Sequence, residues 1–296
     1  MVSQVDRSMP SRREAKLRET REVDLETVQG GLVIVLRGER VARYEVGASP
    51  GFRSIHVADR LLTSTGIGDF GTGQTLSHGN ISGVRFGAAS NSAGSAPAGT
   101  VITNSLVARR GSQSVGFRHD MDWQDPAGNT LIEVGLVARA STGPSRGTAL
   151  DISLRFSAGE QDEVEIGVTR DSLLHLQLNS RLFPDSGGHV RNALGDFDEN
   201  NMDGRRFPWF GCLGVIEAET VGLALIDHPD NPTYPTSWRI GNNGLVSISP
   251  FETCSVTLMS NESITLRFRL QTHDGYVDEG WTSARAADFA REPVRF

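Results

Sequence analysis

Ser263-Ile264-Thr265-Leu266-Arg267-Phe268-Arg269-Leu270-Gln271-Thr272 alternates apolar and polar residues from Ile264 on. Successive side chains of a strand point to opposite faces, so Ile264, Leu266, Phe268 and Leu270 share one face and Thr265, Arg267, Arg269 and Gln271 the other. The pattern predicts a strand with one face on a core and the other, arginines included, in water. The same period of two recurs upstream. Leu150, Ile152, Leu154 and Phe156 alternate with Asp151, Ser153 and Arg155, and Leu174, Leu176 and Leu178 alternate with His175, Gln177 and Asn179. Residues 32–36 and 41–46 read as an opening hairpin around Arg37-Gly38-Glu39. Asp125-Pro126-Ala127-Gly128, with Pro at the second turn position and Gly at the fourth, joins residues 117–123 to residues 131–138.

Short strands at a spacing of about ten residues, with no convincing helical repeat beyond residue 30, predict an all-β antiparallel β-sandwich. No fixed internal period and no break in composition divides the chain after residue 30. The expected organisation is one sandwich domain over residues 30–296, preceded at residues 1–29 by a polar tail or short helix. Residues 87–99, rich in Ala, Ser, Asn and Gly, are the expected mobile loop.

The 296 residues are 38% apolar and 22% charged, enough for a packed core and too apolar for a disordered or low-complexity chain. No run of about 18 apolar residues exists, because the best stretch, residues 221–226, is cut by Asp227 and His228. The N-terminus lacks an apolar segment behind its basic residues. Cys212 and Cys254 are too few for a disulfide framework or a cysteine metal site. A soluble, cytoplasmic protein without a membrane contact is expected. With 36 acidic against 29 basic residues and a net charge of -7, the chain offers no basic field for nucleic acid. Lys16 is the one lysine. The arginines are scattered over alternating segments, where most read as a solvated face, although a guanidinium suits carboxylates, phosphates and sugar hydroxyls alike.

Most short motifs fail on inspection. Asp196-Phe197-Asp198-Glu199-Asn200 begins like a calcium loop, but the sixth position is Asn201 instead of Gly and the twelfth is Phe207 instead of Glu, so an acidic surface loop is expected. In His119-Asp120-Met121-Asp122 the histidine would point away from both aspartates on a strand. His56, His78, His175 and His189 are dispersed. No metal and no other cofactor is expected. The glycine-rich residues 65–73 precede no helix that could hold a phosphate. The dense region is residues 204–238: Arg205, Arg206 and Trp209 precede the apolar strand, which ends in Asp227-His228-Pro229-Asp230-Asn231-Pro232, followed by Tyr234, Pro235 and Trp238. Prolines fix such a loop, which could hold Asp227 or His228 as an acid or base beside aromatic platforms. Equally, Asp227 could cap the turn while Trp209 and Trp238 sit in the core.

This segment carries a family resemblance. Residues 204–209 (Gly-Arg-Arg-Phe-Pro-Trp), 221–232, 235–238 (Pro-Thr-Ser-Trp), Gly244-Leu245, Pro250-Phe251, 266–270 and His273-Asp274-Gly275 resemble a bacterial family labelled methane oxygenase PmoA. The resemblance is specific over residues 189–290, and toward the N-terminus it is carried by residues 123–128 and Glu133. A membrane copper oxygenase would need spanning helices and histidine ligands, which this chain lacks, so that activity is set aside. What the resemblance implies is a supersandwich similar to the galactose mutarotase superfamily, whose members act on or bind carbohydrates. Asp227, His228, Arg206, Trp209, Trp238 and His273 match the family pattern. The family's Asp-His-Pro-His-His cluster is reduced here to His78, within residues 73–79, and its Trp-His-x-Arg reads Trp238-Arg239-Ile240-Gly241.

The function so implied is acid/base chemistry on a sugar or oxidised sugar: elimination, hydrolysis or epimerisation. His228, His273 or His78 would titrate near neutrality, Asp227 would orient or accept a proton, and Arg206 would hold an oxyanion. Trp209 or Trp238 would stack on the ring, with Asn231 and Tyr234 completing the substrate-binding set. The alternative is a non-catalytic carbohydrate-binding or structural sandwich protein. A small-molecule carbohydrate is the expected partner, and an oligomer is left open.

Overall fold

The computed structural model describes residues 23–47, 50–63, 99–111, 113–166, 173–241 and 244–293, and the strand pairing of residues 75–76, 80–81 and 84–85. His78, the glycine-rich residues 65–73 and all of the expected mobile loop except Gly99 lie outside the described residues.

Strands are numbered in chain order. A nine-stranded sheet runs β1 (Val23–Val28), β2 (Gly31–Leu36), β3 (Glu39–Glu45), β4 (Gly51–Val57), β6 (Thr75–Leu76), β14 (Leu174–Gln177), β19 (Leu245–Ser249) and β18 (Ser237–Ile240), with β5 (Arg60–Leu61) paired to β4. An eight-stranded sheet runs β15 (His189–Asn192), β16 (Trp209–Ile216), β17 (Glu219–Asp227), β21 (Ser263–Asp274), β12 (Thr148–Ala158), β11 (Thr130–Thr142), β10 (Ser114–Gln124) and β9 (Thr100–Arg110). A small sheet orders β20 (Val256–Met259), β13 (Glu163–Ile166), β7 (Asn80–Ile81) and β8 (Val84–Arg85). The pairings are antiparallel, as the period of two and the turn chemistry demand. Arg37 and Gly38, both at positive φ (53° and 81°), make the tight β2–β3 turn. Gly128 closes the β10–β11 turn by donating its N–H to Asp125 O at 3.0 Å.

The two large sheets bury one apolar cluster between them. Tyr44 on β3 meets Phe117 on β10 with ring centroids 4.5 Å apart, and Phe52 on β4 lies 6.0 Å from the same ring. The architecture is an antiparallel β-sandwich. No helix of the described residues is long and apolar enough to cross a membrane.

Three sequence expectations need correction. Residues 23–28 do not belong to a polar tail: β1 pairs along its whole length with β2, and Val23 and Leu25 are buried in the core. Asp24 and Glu26 between them had hidden a short strand. Residues 279–289 form a helix, α2 (Glu279–Phe289), after the one-turn α1 (Glu199–Met202). The Asp278 carboxylate caps α2, accepting from Trp281 N–H at 2.8 Å. Its buried positions are few (Thr282 and Phe289), so the sequence shows no apolar stripe. Finally, β21 is buried on both faces from Leu266 to His273. Arg267 and Arg269, expected in water, are 4% and 5% exposed. The cause is the C-terminal segment: α2 packs over β16 and β17, with Phe289 against Trp209, Ala224 and Ile226, on the outer face of the eight-stranded sheet.

Candidate functional site

The proline-fixed loop does not frame the expected pocket floored by Trp209 or Trp238 and edged by Arg206. Asp227 is buried, and its two carboxylate oxygens accept from Asn231 Nδ2 at 2.6 Å and Thr236 N–H at 2.8 Å. Burial raises its pKa to about 6 against the pull of those hydrogen bonds. Asn231, also buried, ties the loop to β21: its Nδ2 donates to Arg267 O at 2.8 Å and its Oδ1 accepts from Arg267 N–H at 2.7 Å. Arg206, exposed, donates to Pro235 O and Thr233 O and so clamps the loop from outside. Tyr234 is half-buried. Trp238 is fully buried, stacked on Phe207 at 5.0 Å with its indole N–H donating to Phe207 O, and Trp209 packs under α2. Neither tryptophan offers a face to a sugar, because Trp238 fills the core beside the loop and Trp209 the seam beneath α2.

His228 is fully buried behind the outer face. Its Nδ1 lies 3.1 Å from Asp230 N, and its Nε2 is shared between Phe289 O at 3.1 Å and Arg267 NH1 at 2.8 Å. Burial first and the Arg267 guanidinium second keep its pKa below the ordinary histidine value. His273 is also buried, donating from Nδ1 to Gly275 O at 2.8 Å and packed edge-on to Trp281. The two histidines contact opposite ends of α2, Trp281 and Phe289, about 12 Å apart along the axis. They do not converge on one substrate. Among the described residues no group of three His, Cys, Asp or Glu side chains could hold a metal ion. His119 points into the core, bonded to Tyr44 Oη at 2.7 Å and Thr103 Oγ1 at 3.0 Å, away from Asp120. Asp196 anchors its loop to Asn192 and Arg205.

What the fold does assemble is a polar patch on the outer face of the eight-stranded sheet. Strand register sets it out in rows. Asp120 (β10), Gly135 (β11) and Arg155 (β12) form one row, and Arg118, Val137, Ser153 and Arg267 the next. Arg139, Asp151 and Arg269 form the third. Interstrand and intrastrand spacings give the patch a span of about 14 by 13 Å. At its β21 end a pocket of about 50 Å³ is lined by Val137, Arg139, Asp151, Ser153, Arg267, Phe289, Glu292 and Pro293. Arg269 holds Asp151 through two bonds, Nε–Oδ1 at 2.5 Å and NH2–Oδ2 at 2.9 Å, and its NH2 also reaches Glu292 Oε1 at 2.6 Å. Both guanidinium groups flank the Phe289 ring, their central carbons 5.4 and 4.6 Å from its centroid.

The two arginines differ. Burial opposes the charge of Arg269, yet its bonds to Asp151 and the nearness of Glu292 more than compensate, and its pKa is raised. For Arg267 burial prevails over Asp230, Asp151 and Glu292, and its pKa is lowered. Arg267 NH1 lies 2.8 Å from His228 Nε2, and NH2 donates to Glu292 O at 2.7 Å. Among the described residues its Nε–H is buried without a partner. Beyond the rows' pocket end, Gly135 leaves a bare spot in mid-strand, where an added Cβ would meet only Asp120 Oδ1 at 3.6 Å and Arg118 NH2 at 3.8 Å. Of this assembly the sequence reading named the alternating positions of Arg267, Arg269, Asp151, Ser153 and Arg155, and assigned them to solvent. The missed signal was Asp278 followed by an alanine-rich stretch, a capped helix able to cover that face.

The family of unknown function DUF6807 matches residues 62–287. The chain belongs to this family. The DUF6807 span takes in Arg139, Asp151, Ser153, Arg267 and Arg269, and ends before Phe289 and Glu292. The label methane oxygenase PmoA is no part of that match. No curated protein matches the sequence. Among solved structures, the chain is similar to one described as "Putative kojibiose phosphorylase from human microbiome", with 9% identity and a TM-score of 0.33 over 90% of this chain and 32% of that one. It is similar also to the GalM/aldose epimerase homologue from C. elegans, with 8% identity and a TM-score of 0.35 over 86% of this chain and 100% of that one. The DUF6807 chain thus spans about a third of the first structure's length. Neither likeness takes the assignment beyond the antiparallel sandwich already described.

Proposed function

We propose that the protein binds a carbohydrate bearing an acidic group, with the ring lying on the outer face of the eight-stranded sheet and the acid in the pocket beside Arg267. The observation that carries this is the buried, unpartnered Nε–H of Arg267, a residue that lines the pocket. A buried donor on a charged group costs more without a partner than an ordinary amide, and a carboxylate is the acceptor that guanidinium geometry favours. The polar rows beside it, with Arg118, Asp120 and Ser153, offer donors and acceptors for hydroxyls. The resemblance to a carbohydrate-acting superfamily supports the same substrate class.

Binding is favoured over the acid/base processing expected from the sequence. Asp151 is bonded to Arg269 through both oxygens, Glu292 through one, and both ring nitrogens of His228 are engaged. In this reading His228 is a positioning residue against the Arg267 guanidinium, while Asp227 and Asn231 hold the loop together. Turnover would draw on His78 or another residue outside those described. Calorimetric titration with D-glucuronate, D-galacturonate, D-gluconate, D-glucose and glucose 6-phosphate tests the proposal. Saturable binding of the sugar acids, at least tenfold tighter than glucose, is expected. Equal affinity for glucose, or no binding by any member, overturns it, and preference for the phosphate would move the ligand class from carboxylate to phosphate.

A further inference from the structure

Resting on that reading of the pocket, we infer that Glu292 is a built-in competitor for the ligand's acidic group, so that ligand binding unseats the segment following α2. The charges around the pocket motivate this. Arg139, Arg267 and Arg269 face Asp151, Asp230 and Glu292: Arg269 bonds Asp151 and Glu292, Arg139 lies 3.9 Å from Asp151 and 3.7 Å from Glu292, and Arg267 NH1 lies 3.5 Å from Asp230. Three cations against three anions leave no net charge to attract an acidic ligand while Glu292 is seated. An anion that engages these guanidinium groups beyond the unpartnered Arg267 Nε–H therefore competes with one carboxylate.

The three carboxylates are not equally replaceable. Asp151 is fixed in mid-strand on β12 and held through both oxygens, and Asp230 is 71% exposed at the far side of Arg267. Glu292 lies past the end of α2, lines the pocket, and reaches Arg269 NH2 through one oxygen with its side chain 33% exposed. Its carboxylate sits against Arg269 and Arg139 as a ligand's would. The backbone around it is held by Glu292 O accepting from Arg267 NH2 and by Glu292 N–H donating to Phe289 O at 3.0 Å. If an incoming carboxylate takes the Arg267 and Arg269 donors, the first of those contacts and the ion pair are lost together.

Titration of the wild type and of Glu292→Gln with D-glucuronate tests the inference, with glucose 6-phosphate and D-glucose as parallel arms. The substitution keeps the shape and backbone contacts and leaves one net positive charge. Affinity for glucuronate should rise roughly fivefold, what one partly exposed ion pair of ordinary strength amounts to. In the wild type, saturating glucuronate should speed hydrogen exchange of residues 288–293 while that of β12 and β21 slows. Wild-type binding of glucuronate with Glu292→Gln no tighter, or with residues 288–293 more protected on binding, overturns the competitor role and leaves the pocket assignment standing. No glucuronate binding by either protein overturns both. A gain by Glu292→Gln confined to glucose 6-phosphate keeps the competitor role and shifts the ligand class to phosphate.

Discussion

Asp227 accepts two hydrogen bonds, one from Asn231 Nδ2, which also donates to Arg267 O, and one from Thr236 N–H. Replacing it with Asn turns one acceptor into a donor, which then faces one of those donors. Asp227→Asn should lower stability at pH 7 by about 1–3 kcal/mol, seen as a fall in urea midpoint at unchanged slope. Because Asp227 does not line the pocket, glucuronate affinity should stay within about twofold, and a loss of binding without loss of stability would return Asp227 to the site. The sequence placed aspartate, histidine and prolines in this loop correctly. It could not say which way the side chains point, since burial of the loop against β21 is a contact between residues 36 apart in the chain.

At the scale of the element, α2 is held on the sheet by its buried aromatic residue, Phe289, at one end and by Trp281 against His273 at the other. Phe289 is 2% exposed, flanked by Arg267 and Arg269 and packed edge-on to His228 at 4.8 Å. Phe289→Ala should cost about 3 kcal/mol locally. Hydrogen exchange should then show α2 opening at lower free energy than β12 and β21, whose ladder does not depend on the ring. Uniform loss of protection across both sheets would mean that α2 is an integral part of the core. The alternation of β21 was fully legible in the sequence, and its register with β12 follows it residue for residue. The fate of its polar face was not, because an arginine row reads the same whether water or a helix lies over it.

For the whole molecule, the pH dependence of stability is set by histidines whose pKa values burial lowers against a carboxylate, Asp227, whose pKa burial raises. Burial lowers the pKa of His119 and of His175 to about 4 from an ordinary 6.5. A lowered folded-state value means that their contribution is present above about pH 6.5 and is lost as the pH falls through 4. Each shift is worth about 3 kcal/mol, and His56, His228 and His273 are shifted the same way. Asp227 works in the opposite sense: with a pKa raised to about 6, its contribution is present below about pH 4 and lost as the pH rises through 6, again about 3 kcal/mol. The histidines outweigh it. The urea midpoint should therefore fall between pH 7 and pH 4.5, and a rise on acidification would contradict the balance.

The chain alone determined the alternating strands at residues 150–156, 174–178 and 263–272, the antiparallel class and the tight turns, because period two, Arg37-Gly38 and Asp125-Pro126-Ala127-Gly128 act between near neighbours. It also placed Leu266, Phe268 and Leu270 on the core face. Tertiary structure decided the rest. A short strand at residues 23–28 exists because β2 pairs with it, and Trp209 and Trp238 became filling because apolar rings gain most where two layers meet. Residues separated in sequence by more than a hundred positions, Arg139 and Asp151 with Arg267 and Glu292, became one charged pocket, braced by Arg269, only when β21 inserted between β12 and β17 and α2 closed over it. Charge in a sequence carries no record of its solvent exposure; that is fixed by which element packs over it.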